Sequence, residues 1–174
     1  MGGGGCWHLG AHLAGNWVAV APGAGFAESL EYLGLAQKNA MPPTYEQALW
    51  GLYDATKYAG NLFNTTTVGY SGEVDKQKQA ADIMEHYLAN EGLTLHHIIG
   101  PNTGHKYHPA AKAEINKRIN TAAAKGRKPV PSEVRLVTRT LRYNRQAWVQ
   151  VDGLEEHWKP ARVEARLAGN ERIE

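Results

Sequence analysis

Two side chains in this sequence could exchange protons if the fold brings them together: Asp75, closing Gly72-Glu73-Val74-Asp75, and His105, closing Gly100-Pro101-Asn102-Thr103-Gly104-His105. An imidazole serves as general base toward a hydroxyl when a buried carboxylate fixes its tautomer and stabilises the imidazolium that forms. His108 competes for the same role. His105 is preferred because it directly follows Gly104, a glycine expected to let the chain turn sharply, whereas His108 precedes Pro109 at a helix start. Asp75 has a second reading as a helix N-cap, since an Asp before a helical run accepts from free N–H groups. His96 and His97 raise the question of a metal, but neighbouring strand residues point to opposite faces and cannot both reach one ion. No metal site and no cofactor are expected.

The elements around these residues follow from hydrophobic patterning. Three short apolar runs, Trp17–Ala21, Thr65–Tyr70 and Leu93–Ile99, read as buried strands. Helices are expected over Lys76–Asn90, with Ala80, Ile83, Met84 and Leu88 on one face, and over Pro109–Ala124, with Ala110, Ala113, Ile115 and Ile119 inward. Strands alternating with helices imply a parallel sheet covered on both faces. Asp75 and His105 then both stand in loops at the carboxyl ends of strands, the edge where open α/β sheets carry their sites. The stretch 22–64 is too long for a plain connection and reads as an inserted helical cap, with helices near Glu28–Leu35 and Tyr45–Tyr58. Trp50, Tyr53 and Tyr58 on it are either pocket lining or core. After Gly126 a linker, 127–131, leads to period-two alternation in Val134–Leu136, Trp148–Val151 and Val163–Leu167, separated by turns at Tyr143-Asn144 and Ala168-Gly169-Asn170. Residues 132–174 thus read as a short, incomplete β-rich module that needs a partner surface.

Acid before histidine along the chain, each after a strand, resembles the α/β-hydrolase superfamily. Gly72-Glu73-Val74-Asp75 is similar to the acid turn, and Gly104-His105 to the histidine loop, of its prolyl-oligopeptidase-like branch of serine peptidases and esterases. The opening Met1-Gly2-Gly3-Gly4-Gly5-Cys6-Trp7-His8-Leu9-Gly10 resembles the second half of a Ser-Met-Gly-Gly nucleophile elbow and the helix after it. The resemblance implies that residues 1–126 are part of a hydrolase domain, with Gly2 and Gly3 a remnant of the elbow and the nucleophilic serine just before Met1. It further implies that the backbone N–H of Met1 belongs to the oxyanion hole. The implied activity is cleavage of a small-molecule ester or peptide through an acyl-enzyme. This chain alone, lacking the serine, is expected to be inactive. Ser71 does not replace that serine, because Glu73 stands where the elbow requires its second glycine. Cys6 reads as a small packed residue rather than a thiol nucleophile.

Composition narrows the alternatives. Of 174 residues, 43% are hydrophobic and 21% charged, the balance of a folded globular chain. Nineteen Lys and Arg against 17 Asp and Glu leave a net charge of +2, too even for a nucleic-acid partner. The basic residues between Lys117 and Arg145 read as a solvated face. A single cysteine excludes an intrachain disulfide, no apolar run is long enough for a membrane span, and no signal peptide opens the chain, though a longer parent could be exported. Two other classes stand against the enzyme: a non-catalytic α/β binding module, and a nucleotide-binding protein using the glycine run, which would need a strand before Met1. Oligomeric state is not encoded in these patterns.

Overall fold

In the computed structural model, which describes residues 2–168, 172 and 173, the three apolar runs become one parallel sheet. Its strands are β1 (Ala19–Val20), β2 (Thr66–Gly72) and β3 (His96–Gly100), in the order β1-β2-β3. Ala19 lies opposite Thr66, and Val68 through Gly72 run beside His96 through Gly100. The protein is therefore of mixed α/β class.

The sheet is covered on both faces along β2, as a central parallel strand requires, whereas the edge strand β3, expected to be buried, leaves His96 and Ile99 exposed. Val68 and Tyr70 of β2, with Ile98 of β3, pack on Ala111, Ile115 and Ile119 of a long helix, Pro109–Lys125. The alternate residues face the other way: Ser71 reaches His97, and Gly69 admits the side chain of Leu95. On that side Trp7 and Ala11 of α1 (Gly2–His12) join Ala80, Ala81, Met84 and Leu88 of the helix Gln79–Asn90. Both inward faces differ from expectation. In Pro109–Lys125, Ala110 and Ala113 are exposed and Ala111 is buried; in Gln79–Asn90, Ala81 is buried and Ile83 only half-buried. Alanines are interchangeable to a hydrophobic pattern, and the strand side chains beneath select which of them face inward.

Helix α1 forms against its own propensity, since each glycine costs about 1 kcal/mol relative to alanine. Close packing explains the choice. A Cβ at Gly3 would collide with the carbonyls of Gly23 and Ala24, and one at Gly4 would come within 2.7 Å of the Phe26 ring.

Between β1 and β2 the chain makes two short helices, α2 (Ser29–Leu33) and α3 (Thr44–Leu49), and then two 3₁₀ segments, Trp50–Leu52 and Ala55–Asn64. The single helix expected over Tyr45–Tyr58 is broken. Asp54 leaves the helical path to accept from the backbone N and the hydroxyl of Ser29, at 2.9 and 2.7 Å, at the start of α2. Ala55, Tyr58, Ala59 and Leu62 then enter the core, so this half of the insertion is a structural layer. Its exposed part carries Tyr32, Leu33, Met41, Tyr45, Leu49 and Tyr53. The helices Gln79–Asn90 and Pro109–Lys125 are α4 and α5.

The β-rich segment contains β4 (Glu133–Thr138), β5 (Arg145–Gln146), β6 (Val149–Gln150), β7 (Ala161–Ala168) and β8 (Arg172–Ile173). β4, β7 and β8 pair antiparallel, and β5 and β6 form a hairpin. Val134, Leu136 and Val149 make its small core, flanked by Trp148 and Val163. The free edge of β4 is met by side-chain amides: Asn61 accepts from Val137 N at 2.6 Å and donates to Val137 O at 3.0 Å, and Asn64 treats Arg135 in the same way. Gln146 adds bonds to His12 O and Gly15 N. Several of the basic residues read as a solvated face are engaged instead, with Arg127, Arg135 and Arg139 donating to the carbonyls of Gly15, Glu91 and Trp158. Gly169 and Asn170 of the second expected turn lie outside the described residues.

Candidate active site

The loop after β2 and the loop after β3 are joined backbone to backbone. Glu73 N donates to Gly100 O at 2.9 Å, Val74 N to Thr103 O at 3.1 Å, and Asn102 N to the Glu73 carboxylate at 2.7 Å. Gly72 makes this approach possible, because a Cβ there would collide with the carbonyl oxygens of Thr103 and Gly104. Tyr70 fixes the far side of the histidine loop: its hydroxyl donates to Lys106 O at 2.9 Å and accepts from His108 N at 2.8 Å.

Held this way, His105 Nδ1 stands 2.8 Å from Asp75 Oδ2. The other oxygen of Asp75 accepts from Gln77 N at 2.9 Å. The two readings of Asp75 therefore coexist, one oxygen capping the helical turn at Lys76 and the other holding the imidazole. The carboxylate side chain is 6% exposed and the imidazole 65%. A buried acid fixing an open imidazole is the arrangement in which the second ring nitrogen exchanges protons with a bound group.

The start of α1 is tied to the same rim. Gly25, at φ +88°, fits against the backbone of Gly3 and Gly4, and its N donates to Gln77 Oε1 at 2.9 Å. Gln77 thus links the glycine run to the turn that carries Asp75. No sequence motif singles it out, since a glutamine two residues past an acid has no characteristic spacing. Gly2 and Gly3 lie in the first turn of α1. Met1, whose N–H the resemblance assigns to the oxyanion hole, lies outside the described residues.

The remaining candidates are placed elsewhere. His108 caps α5 through its backbone, and its Nδ1 is buried with no hydrogen-bond partner among the described residues, so it does not pair with Asp75. Gly104 has open space around its Cα and no positive φ; the left-handed turn falls on Asn102, at φ +49°. The expectation that Gly104 makes the sharp turn is corrected on that ground. Burial raises the pKa of the half-buried Cys6 thiol, which disfavours the nucleophilic thiolate. Ser71 is fully buried and bonded to His97. His96 and His97 do face opposite sides of the sheet: His96 lines a cleft of about 340 Å³ along α5, and His97 faces α4.

Neither a protein-family model nor a curated protein matches the chain. Among the described residues no helix is long and apolar enough to cross a membrane.

Proposed function

We propose that this chain carries the acid and base of a serine hydrolase of the α/β-hydrolase superfamily, in its prolyl-oligopeptidase-like branch. The observation that carries the reading is the 2.8 Å bond between His105 Nδ1 and the buried Asp75 carboxylate, at the carboxyl ends of adjacent parallel strands. The close backbone approach of Gly25 to Gly3 and Gly4, and the bond from Gly25 N to the Gln77 side chain, support a nucleophile at the start of α1. In this reading a serine preceding Met1 attacks the carbonyl of a small ester or peptide. His105 Nε2 removes the serine proton and returns it to the leaving group, while Asp75 stabilises the intervening imidazolium. The family resemblance assigns the N–H of Met1 to the oxyanion hole.

The test is to express the reading frame extended upstream and treat it with a fluorophosphonate. The expected adduct is on a serine immediately before Met1, and it is lost in His105→Ala. An adduct on Ser71 or Cys6, or an upstream frame with no serine there, overturns the assignment in favour of a non-catalytic module.

A further inference from the structure

Asp75 and His105 stand on loops that hold each other, whereas the start of α1 meets them through a third segment, Gly23-Ala24-Gly25, which follows β1. Ala24 at φ 52° and Gly25 at φ +88° are both left-handed. An alanine in that region is strained and persists only where its surroundings over-determine it. Ala24 N donates to Tyr70 O at 2.8 Å and Tyr70 N to Pro22 O at 2.9 Å, which fastens the segment to β2. The carbonyls of Gly23 and Ala24 lie against Gly3 of α1, and Gly23 lies against the hydroxyl of Tyr107, which a Cβ there would approach to 2.6 Å. The Tyr107 ring in turn stacks on Tyr70, with centroids 4.6 Å apart.

One contact carries this arrangement to the acid. Gln77 Oε1 accepts from Gly25 N at 2.9 Å, while Gln77 N donates to Asp75 Oδ1 at 2.9 Å. Among the described residues no other hydrogen bond joins the turn 73–78 to residues 2–25. An N–H···O bond keeps its length within roughly 2.7–3.2 Å, so this one fixes how far the Asp75 turn stands from the segment packed on α1. The cap on Asp75 uses the Gln77 backbone and the link to Gly25 uses its side chain, so a substitution separates the two.

We propose that Gln77 is a positioning residue: through residues 23–25 it sets the Asp75–His105 pair at the distance from the start of α1 that proton transfer there requires. The inference rests on the hydrolase reading, in which the nucleophile stands just before Met1. A general base acts only within hydrogen-bond reach of the proton it takes, and a displacement of about 1 Å costs on the order of 10²-fold in rate. Gln77 itself acts on no reacting atom. Tyr107 steadies the histidine loop on the same segment by packing, with no hydrogen bond from its hydroxyl among the described residues.

The experiment uses the upstream-extended protein. Gln77→Met keeps the length of the side chain and the backbone cap but offers Gly25 no oxygen, whereas Gln77→Glu restores the acceptor. Gln77→Met is expected to lower kcat on an activated ester, and the rate of fluorophosphonate labelling, by about 10–100-fold with KM within about twofold of the parent. Labelling should still run to one adduct per chain, since a loss of folded protein would lower the labelled fraction and not the rate constant. Amide exchange at Gly25 should quicken about tenfold or more in Gln77→Met, and Gln77→Glu should recover both the rate and the protection. The proposal is overturned if Gln77→Met labels and turns over as the parent does, if KM rises with kcat unchanged, or if Gln77→Glu is no better than Gln77→Met. A parent that takes no adduct removes the hydrolase reading and this inference with it; failure at Gln77 alone leaves the parent's adduct in place.

Discussion

Asp75 divides its two oxygens between Gln77 N and His105 Nδ1, so the charge on one group serves both the helical turn and the imidazole. Asp75→Asn keeps the size of the side chain but offers the ring an amide, which favours the wrong tautomer. On the proposed hydrolase reading, this change in the upstream-extended protein is expected to lower kcat by roughly 10³–10⁴, measured on an activated ester; a loss under tenfold would count against Asp75 as the acid of that proposal. The glycines beside it separate clearly. Gly72→Ala forces a methyl into the carbonyls of Thr103 and Gly104 and should destabilise by about 1–3 kcal/mol in denaturant titration while displacing His105. Gly104→Ala has open space and should stay within about 0.5 kcal/mol of the parent. If both variants behave alike, the two loops are not joined as described. The meeting of Asp75 with His105 was legible because each stands in the loop that follows an apolar run. The importance of Gly72 was not, because the carbonyls it avoids belong to a loop some thirty positions away.

Asn61 shows how the 3₁₀ segment Ala55–Asn64 stands in for a missing strand. Its amide nitrogen donates to Ala11 O and Val137 O, both at 3.0 Å, and its oxygen accepts from Val137 N at 2.6 Å, all within buried surroundings. Asn61→Ala leaves three backbone groups unpaired away from water, at about 1–3 kcal/mol each before relaxation. The expected result is a loss of at least about 3 kcal/mol, with amide exchange accelerating in β4 ahead of β2 and β3. Equal acceleration in all three strands would mean that the β-rich segment does not depend on this bridge.

Where α1, the 3₁₀ segment and the β-rich segment meet, the fully buried His12 lies between Tyr58 and Tyr143, with ring centroids 4.0 and 4.4 Å away. Its Nδ1 donates to His8 O at 2.7 Å, and its Nε2 has no hydrogen-bond partner among the described residues. Burial first, and the nearby His8 second, lower its pKa from 6.5 to about 3. The folded protein therefore keeps this ring neutral where the unfolded chain protonates it. Its contribution to stability is complete above pH 6.5 and is lost as pH falls from there toward about 3, with a limiting slope of about 1.4 kcal/mol per pH unit. His12→Phe preserves the aromatic packing without the titration. Denaturant unfolding at pH 7, 5.5 and 4 should show a flatter decline for the variant. Parallel curves for the two proteins would place the acid sensitivity elsewhere.

Local pattern carried the α/β class, the three strand positions, the start of α5 at Pro109 and the chain order of Asp75 and His105. Each depends on side-chain periodicity or on a residue type within a few positions, which is the range over which backbone geometry is written in sequence. Other features depended on contacts between distant segments. The inward face of α5 was selected by Val68 and Tyr70, and the break at Asp54 by Ser29. The glycines of α1 answer to the backbone of residues 23–25, and Asn61 meets Val137 across 76 positions. The bond from Gly25 N to Gln77 Oε1 likewise required the segment after β1 to lie beside the acid turn, because close packing and buried hydrogen bonds are properties of neighbours in space that a one-dimensional pattern does not encode.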